Sequence, residues 1–389
     1  MEQEKPRAAG LTPVRRVVTG NDARGRSCVV RDGPATNTHD YAIHKTGSGS
    51  GWTNLWVFDE TPAPLRGEGD DGDKPYEFPA ALDGAHWRVV EYRAPPPGYD
   101  RASDPEVVPF HEPRKRPVGR AWDRGGTDSF SAPVHKTESV DYGFIFSGSR
   151  TLVLDDRELV MNAGDVVVQL GNWHGWRAVT DCRMAFVMMS GSFDAGDVGG
   201  HRPLAPRPMP ADVAPVRRIV TASREDDRST ALCDGPSPDI RLDAARPGFA
   251  STRIWVTDST PAKIRVRETL HLPHTLEPPP RGSVCRVVQL PPDNAWAGRV
   301  GAREVQAYFV AMGSPSASTY SPQAPHPYMQ RTRTLDFCLV LDGEVTLVLD
   351  TQEVDLKAGD VVVLRGGNHA WSNRSRTMAR VALVSHDGR

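Results

Sequence analysis

The chain has 389 residues, with 47 Lys plus Arg against 49 Asp plus Glu and a formal net charge of -2. That length exceeds what one compact core usually carries and points to two domains, and balanced charge without a basic stripe argues against a nucleic-acid partner. Gly 35 and Pro 34 imply many turns, while the dispersed short apolar runs exclude a wholly disordered chain.

The first ten residues, MEQEKPRAAG, lack the apolar core of a secretion signal, and no apolar stretch approaches the roughly 18 residues of a membrane span. A cytoplasmic protein without a membrane partner is the expectation. Cys28, Cys182, Cys233, Cys285 and Cys338 are odd in number and widely spread, so neither a disulfide framework nor a thiolate zinc site is indicated. Each reads as a small buried apolar residue.

In chain order, RRVVT at 15–19 is followed by Asp32-Gly33-Pro34, Trp56 and Thr61-Pro62-Ala63. Residues 94–134, rich in Pro, Arg, Asp and Gly, are the least regular part of the chain. FIFSG, TLVLDD, DVVVQLG and MAFVMMSG come next, short β-branched or aromatic runs bounded by turn formers, and such runs read as strands. HRPLAPRPMPADVAP at 201–215 suits a semi-rigid linker. The pattern then begins again with RRIVT at 217–221, Asp234-Gly235-Pro236, Trp255 and Thr260-Pro261-Ala262. AREVQAYFVAMG at 302–313 has apolar residues at helical spacing and predicts a short helix, after which CLVLDG, TLVLDT, DVVVLRG and VALVS are again strands.

Residues 135–176 align without a gap on residues 330–371, sharing TLVLD, AGDVVV, a histidine and a tryptophan. A repeat of this extent outranks local propensity as evidence of architecture. The chain is therefore expected to hold an N-terminal copy at 1–200, a linker at 201–215 and a C-terminal copy at 216–389. The first copy carries extra residues in its 94–134 segment. Many short strands with no long helical pattern between them imply an all-β sandwich or barrel rather than a parallel βαβ fold.

These repeated segments resemble the cupin superfamily, and the chain as a whole looks like a bicupin. The resemblance implies two tandem double-stranded β-helix (jelly-roll) barrels with a few short helices. The family's pattern is two histidines one residue apart, a glutamate, a glycine, then a Gly-Asp strand ending in a histidine. It falls on His135, Thr137, Asp141, Gly148, Gly164-Asp165 and His174 in the first copy. In the second it falls on Gln330, Thr332, Asp336, Gly343, Gly359-Asp360 and His369, with Trp176 and Trp371 two residues after the last histidines. Carried over to this chain, the resemblance implies His135, Asp141 and His174 as catalytic and metal-holding residues. It further implies Thr137, Gln169 and Trp176 as substrate contacts, and one divalent ion (Fe, Mn, Ni or Zn) in the first barrel.

Strand parity supports the same cluster, since residues two apart share a face and His135, Thr137, Ser139 and Asp141 would point together. Two imidazoles and a carboxylate leave open positions on a divalent ion. Other readings stand beside this one. Thr137 occupies a histidine position, Asp141 serves equally as a hydrogen-bond acceptor inside a polar barrel, and Trp176 and Trp371 serve equally as cavity lining or core. Asp155, Asp165, Asp350 and Asp360 read as turn residues. His39, His44, His86, His111, His271, His274 and His326 read as surface residues in loops, and EPRKRP at 112–117 as a solvated run or as a lid over an anionic substrate.

Three functions follow: a metal-dependent enzyme on a small secondary-metabolite intermediate, of polyketide, terpenoid or other origin; a metal-free cupin in which Asp141 and His174 act as base and acid or the cavity orients a cyclisation; and a non-catalytic ligand-binding protein. The reaction classes left open are oxygenation, isomerisation, dehydration and cyclisation. The working cavity is expected in the first barrel with 94–134 as its wall, and the protein as a monomeric pseudo-dimer or a homodimer whose upstream strands cover the other copy's sheet edge.

Overall fold

The structure, a computed structural model, describes residues 10–40, 50–66, 69–117, 119–193, 202, 204–205 and 208–389. His44 and linker positions 201, 203, 206 and 207 lie outside them. Strands dominate, and Ala302–Ala311, anticipated from its apolar spacing, is the single α-helix among the described residues.

Four sheets stack as layers. A six-stranded sheet carries Glu158–Asn162, Ser149–Val153, His174–Ala178, Ser131–Thr137, Ala121–Asp123 and Arg114–Lys115, in that order. It faces a nine-stranded sheet that includes Val166–Leu170, Ser139–Ser147, Cys182–Phe193, Ala85–Tyr92 and Gly51–Phe58. Behind that lies an eight-stranded sheet containing Ser283–Leu290, Ala379–Asp387, Thr334–Asp342 and Val361–Arg365, and a three-stranded sheet (Glu353–Lys357, Glu344–Leu349, His369–Ser372) closes the far side. The six- and nine-stranded sheets form a first jelly-roll barrel, the eight- and three-stranded sheets a second.

Period-two alternation builds the cores between and within these layers. In Ser139–Ser147, Tyr142 and Phe144 enter the core between the two large sheets, while Ile145 enters the core of the first barrel. Trp87 and Phe337 stack across the central layer with ring centroids 5.0 Å apart. Each fully buried side chain of this size contributes roughly 1.5–3 kcal/mol, so the back-to-back seam is a structural core rather than a loose contact.

The two barrels exchange strands. Arg15–Asn21 pairs in parallel with Val361–Arg365, Val17 opposite Val362, and Arg217–Ser223 pairs in parallel with Val166–Leu170, Ile219 opposite Val167. Each upstream strand thus covers the free edge of the other barrel's large sheet, as anticipated, and hides unpaired backbone groups. Arg15 and Arg217 reinforce the exchange through Asp360 (3.1 Å) and Asp165 (2.8 Å). These aspartates, read as turn residues, also anchor the swapped strands. Asp155 and Asp350 do likewise, accepting from the backbone N–H groups of Ser229 and Ser27 at 2.7 and 2.9 Å.

Several surface expectations are corrected. His86 lies inside the strand Ala85–Tyr92 with 1% of its surface exposed and packs on Tyr76. His326 is buried against Trp296 and Tyr328, and the His274 side chain is enclosed beside Asp239 at 3.2 Å. Their neighbours in sequence resemble loops, but burial is decided by which sheet face the fold closes. His39 and His271 are exposed. Cys182, Cys285 and Cys338 are buried, whereas Cys28 and Cys233 are only half-buried.

Candidate functional site

His135 and His174 sit on neighbouring antiparallel strands of the six-stranded sheet, directly opposite each other, with ring centroids 4.3 Å apart. Each Nδ1 lies against a backbone carbonyl, that of Pro133 at 2.9 Å for His135 and that of Asn172 at 3.0 Å for His174. A carbonyl only accepts, so Nδ1 carries the proton and Nε2 presents a lone pair. Desolvation keeps both rings neutral. It lowers His174 to about 4 and holds His135 well below its usual range, where the adjacent His174 lowers it further.

Asp141 comes from the opposite wall. The expected single strand running from His135 to Asp141 is two strands, Ser131–Thr137 and Ser139–Ser147, which belong to different sheets. The chain crosses between layers at Glu138, so the histidines and the carboxylate face one another across the barrel instead of standing side by side. Asp141 is 2% exposed, its Oδ1 has no hydrogen-bond partner, and desolvation raises its carboxyl to about 7 against the weaker pull of Ser139 and Arg88. Opposite it in the sheet is Gln169, 1% exposed, with neither side-chain polar atom partnered. Gly143, on the same face, keeps this floor thin: a Cβ there would come within 2.5 Å of Met184 Cε and 2.8 Å of Val167 Cγ1.

Between these walls lies a cavity of about 470 Å³, lined by His135, His174, Asp141, Gln169 and Trp176 as expected. Sequence reasoning missed its aromatic and cationic members. Trp52, Tyr76, Phe78, Tyr92 and Phe186 supply flat apolar surface, and Arg88, Arg116 and Arg150 supply charge. Arg88 lies over Tyr76 at 3.6 Å and Arg150 over Tyr92 at 3.9 Å. The 94–134 segment does form part of the wall, through Arg116, Asp123, Ala132 and Pro133. Within EPRKRP, Arg114 and Lys115 are exposed and Arg116 alone reaches the cavity. Thr137 is a correction: it is buried, bonded to Ser139 Oγ at 2.7 Å, and does not line the cavity. One signal for Arg150 and Gln169 was present in the repeat, where the second copy places Val345 and Leu364 at the same inward-facing positions.

Two Nε2 lone pairs are available, but among the described residues no three His, Cys, Asp or Glu side chains gather as a metal-holding group. The expected two-histidine, one-carboxylate set is not among such groups; His135 and His174 lie on the six-stranded sheet and Asp141 on the nine-stranded one.

In the second barrel the corresponding space shrinks to about 50 Å³, lined by Gln330, Asp336, His369 and Trp371 together with Arg246, Tyr308 and Tyr328. The Gln330 amide lies 3.2 Å from His369 Nε2 and donates to it, because His369 Nδ1 already gives its proton to the Gly367 carbonyl at 2.9 Å. Asp336 Oδ2 accepts from Thr334. The helix Ala302–Ala311 fills this barrel with Tyr308 and Phe309.

The two jelly-roll barrels have the architecture that the sequence resemblance implied. Residues 318–385 match the cupin domain family model. The phomopsin biosynthesis cluster protein C' of Diaporthe leptostromiformis is 58% identical over 50 residues, 13% of this chain and 26% of that protein. This chain thus spans about a quarter of that relative's length. The cupin-domain-containing oxidoreductase fogC of Aspergillus ruber is 28% identical over 200 residues, 49% of this chain and 77% of that protein. Among solved structures, a cupin 2 conserved barrel domain protein from Leptotrichia buccalis is 7% identical with a TM-score of 0.34, covering 78% of this chain and 83% of that one. Among the described residues no helix is long and apolar enough to cross a membrane.

Proposed function

We propose that this protein is an enzyme of secondary-metabolite biosynthesis that isomerises, dehydrates or cyclises a small organic intermediate by proton transfer in the first barrel. The observation that carries the reading is Asp141, an enclosed carboxyl raised to about 7 whose Oδ1 is unpartnered beside an open cavity. A group that titrates near neutrality both gives and takes a proton at working pH. His174, lowered to about 4, is too weak a base for that task, so its Nε2 and that of His135 accept hydrogen bonds from the substrate and orient it. The aromatic walls exclude water and hold a flat carbon skeleton. The names of the matched relatives, a biosynthesis cluster protein and a cupin-domain oxidoreductase, support a biosynthetic role.

The test is to replace the gene in its host with an Asp141→Asn allele and compare culture extracts with those of a full deletion. Accumulation of the same intermediate in both supports the proposal, and a wild-type metabolite profile from the Asp141→Asn strain refutes it.

A second reading rests on the histidine pair. Two adjacent imidazoles with both Nε2 atoms free are donors for one divalent ion (Fe, Mn, Ni or Zn), the remaining positions being left to water or substrate. Metal content of the purified protein, compared with that of His135→Ala, decides it: stoichiometric metal lost in the variant supports the ion, and equal trace metal in both refutes it.

A further inference from the structure

We infer that the first cavity is built for an anionic ligand, a small molecule whose flat unsaturated body ends in a carboxylate or similar anion that Arg150 binds. The inference rests on the cavity being the working site, as proposed above, but not on the reaction that takes place there.

Arg150 is 1% exposed, and among the described residues its side chain makes one hydrogen bond, a long one of 3.9 Å from Nη1 to Met184 Sδ. Among the described residues its Nε and Nη2 have no partner, and no carboxylate pairs with it. The guanidinium lies between the faces of Tyr92 and Trp176, at 3.9 and 4.8 Å from their centroids, and lines the cavity. Ring faces compensate a cation only partly, and a charge removed from water without a counter-ion is strongly disfavoured. Water in the cavity would satisfy the N–H groups but would not neutralise the charge. An anion does both, and the planar fork suits a carboxylate.

The surroundings agree. The lining carries three guanidinium groups, Arg88, Arg116 and Arg150, against two carboxyl groups, and Asp123 is already engaged with Arg116 at 3.6 Å. Arg150 arises from the strand Ser149–Val153, on the histidine wall, and Gln169 and Asp141 present unpartnered polar atoms from the other. A ligand anchored at Arg150 would lie along Trp176 and Phe186, whose rings meet edge to face at 5.8 Å, with its far groups within the reach of both polar walls. The second barrel has Val345 in place of Arg150, and the arginines lining its small space are engaged, Arg246 with Asp243 at 2.6 Å and Arg286 with the Leu276 carbonyl at 2.9 Å and Ser385 Oγ at 3.0 Å.

The probes are 2-naphthoate and its neutral isostere 2-naphthamide, titrated calorimetrically into the full-length protein. Wild type is expected to bind naphthoate saturably and more tightly than naphthamide. Arg150→Met is expected to weaken naphthoate about 10- to 100-fold, leave naphthamide little changed, and unfold at the same temperature as wild type or higher. Equal affinities for the two probes, no saturable binding of naphthoate, or unaltered naphthoate binding by Arg150→Met would overturn the proposal. So would a clear drop in the variant's melting temperature, which would mark Arg150 as a structural cation. If Arg150→Met does not fold, the same measurements on Arg150→Gln decide. Naphthoate binding that needs Arg150 in a protein whose Asp141→Asn allele still makes the product would sink the proton-transfer reading and leave this one standing.

Discussion

The two barrels are made from similar sequence, yet one encloses about 470 Å³ and the other about 50 Å³. The cause is not the strands, which keep AGDVVV, the last histidine and the tryptophan in both. It lies in what replaces the inward-facing polar groups and in what covers the mouth. Gln330 stands where the first barrel has His135 and engages the remaining imidazole, and a helix brings Tyr308 and Phe309 where the first barrel has an irregular wall. Duplication conserved the scaffold, and a handful of side chains decided which copy kept a cavity.

The sharpest way to break this comparison is to disable each barrel in turn. Asp141→Asn should lower turnover by about 10²- to 10⁴-fold, whereas Asp336→Asn and His369→Ala should leave turnover per folded molecule unchanged; equal losses would remove the asymmetry. Phe309→Ala should cost about 3–5 kcal/mol in denaturant unfolding, because that ring is fully buried in the filled barrel, while product formation by the folded fraction persists.

A third comparison uses pH. Folding raises the Asp141 carboxyl from 3.8 to about 7, so the native state holds that proton more tightly than the unfolded chain. The stability this contributes is complete below about pH 4 and is lost as pH rises through 7. Asp141→Asn should therefore gain on wild type between pH 4 and 8, by an amount on the order of 4 kcal/mol. His174 acts in the opposite sense below pH 6.5 but is common to both proteins. Parallel stability curves for the two would show that Asp141 is not enclosed as described. The smallest effect is expected from Thr137→Val, which removes one buried hydroxyl bond: about 1 kcal/mol of stability and no change in product formation.

Much of the fold was legible because a strand announces itself locally: short apolar runs between Gly, Asp and Asn gave the strands, and self-alignment gave two related barrels. The site was legible only in part. His135, His174, Asp141, Gln169 and Trp176 do line one cavity, but parity alone placed the histidine and the aspartate on a single strand. The crossing at Glu138 depends on how two sheets close, which no seven-residue window encodes. Arg88 and Tyr76 meet across 12 positions of sequence, and Trp52 reaches the same cavity from another strand. Such pairings are set by sheet order, so composition and spacing could not reveal them.

The exchanged strands also let the nearly filled barrel support the open one. Arg217–Ser223 lies beside Val166–Leu170, the strand that carries Gln169, and Thr221 Oγ1 donates at 2.8 Å to Asn172, whose own carbonyl fixes His174. Asp227, in the turn after that strand, accepts from Trp173 Nε1 at 2.9 Å. The C-terminal half therefore buttresses a pocket it does not contain. A gene trimmed to its first half would leave that strand edge bare and the imidazole without its support. The support one half gives the other runs through these strand edges rather than through the cavity.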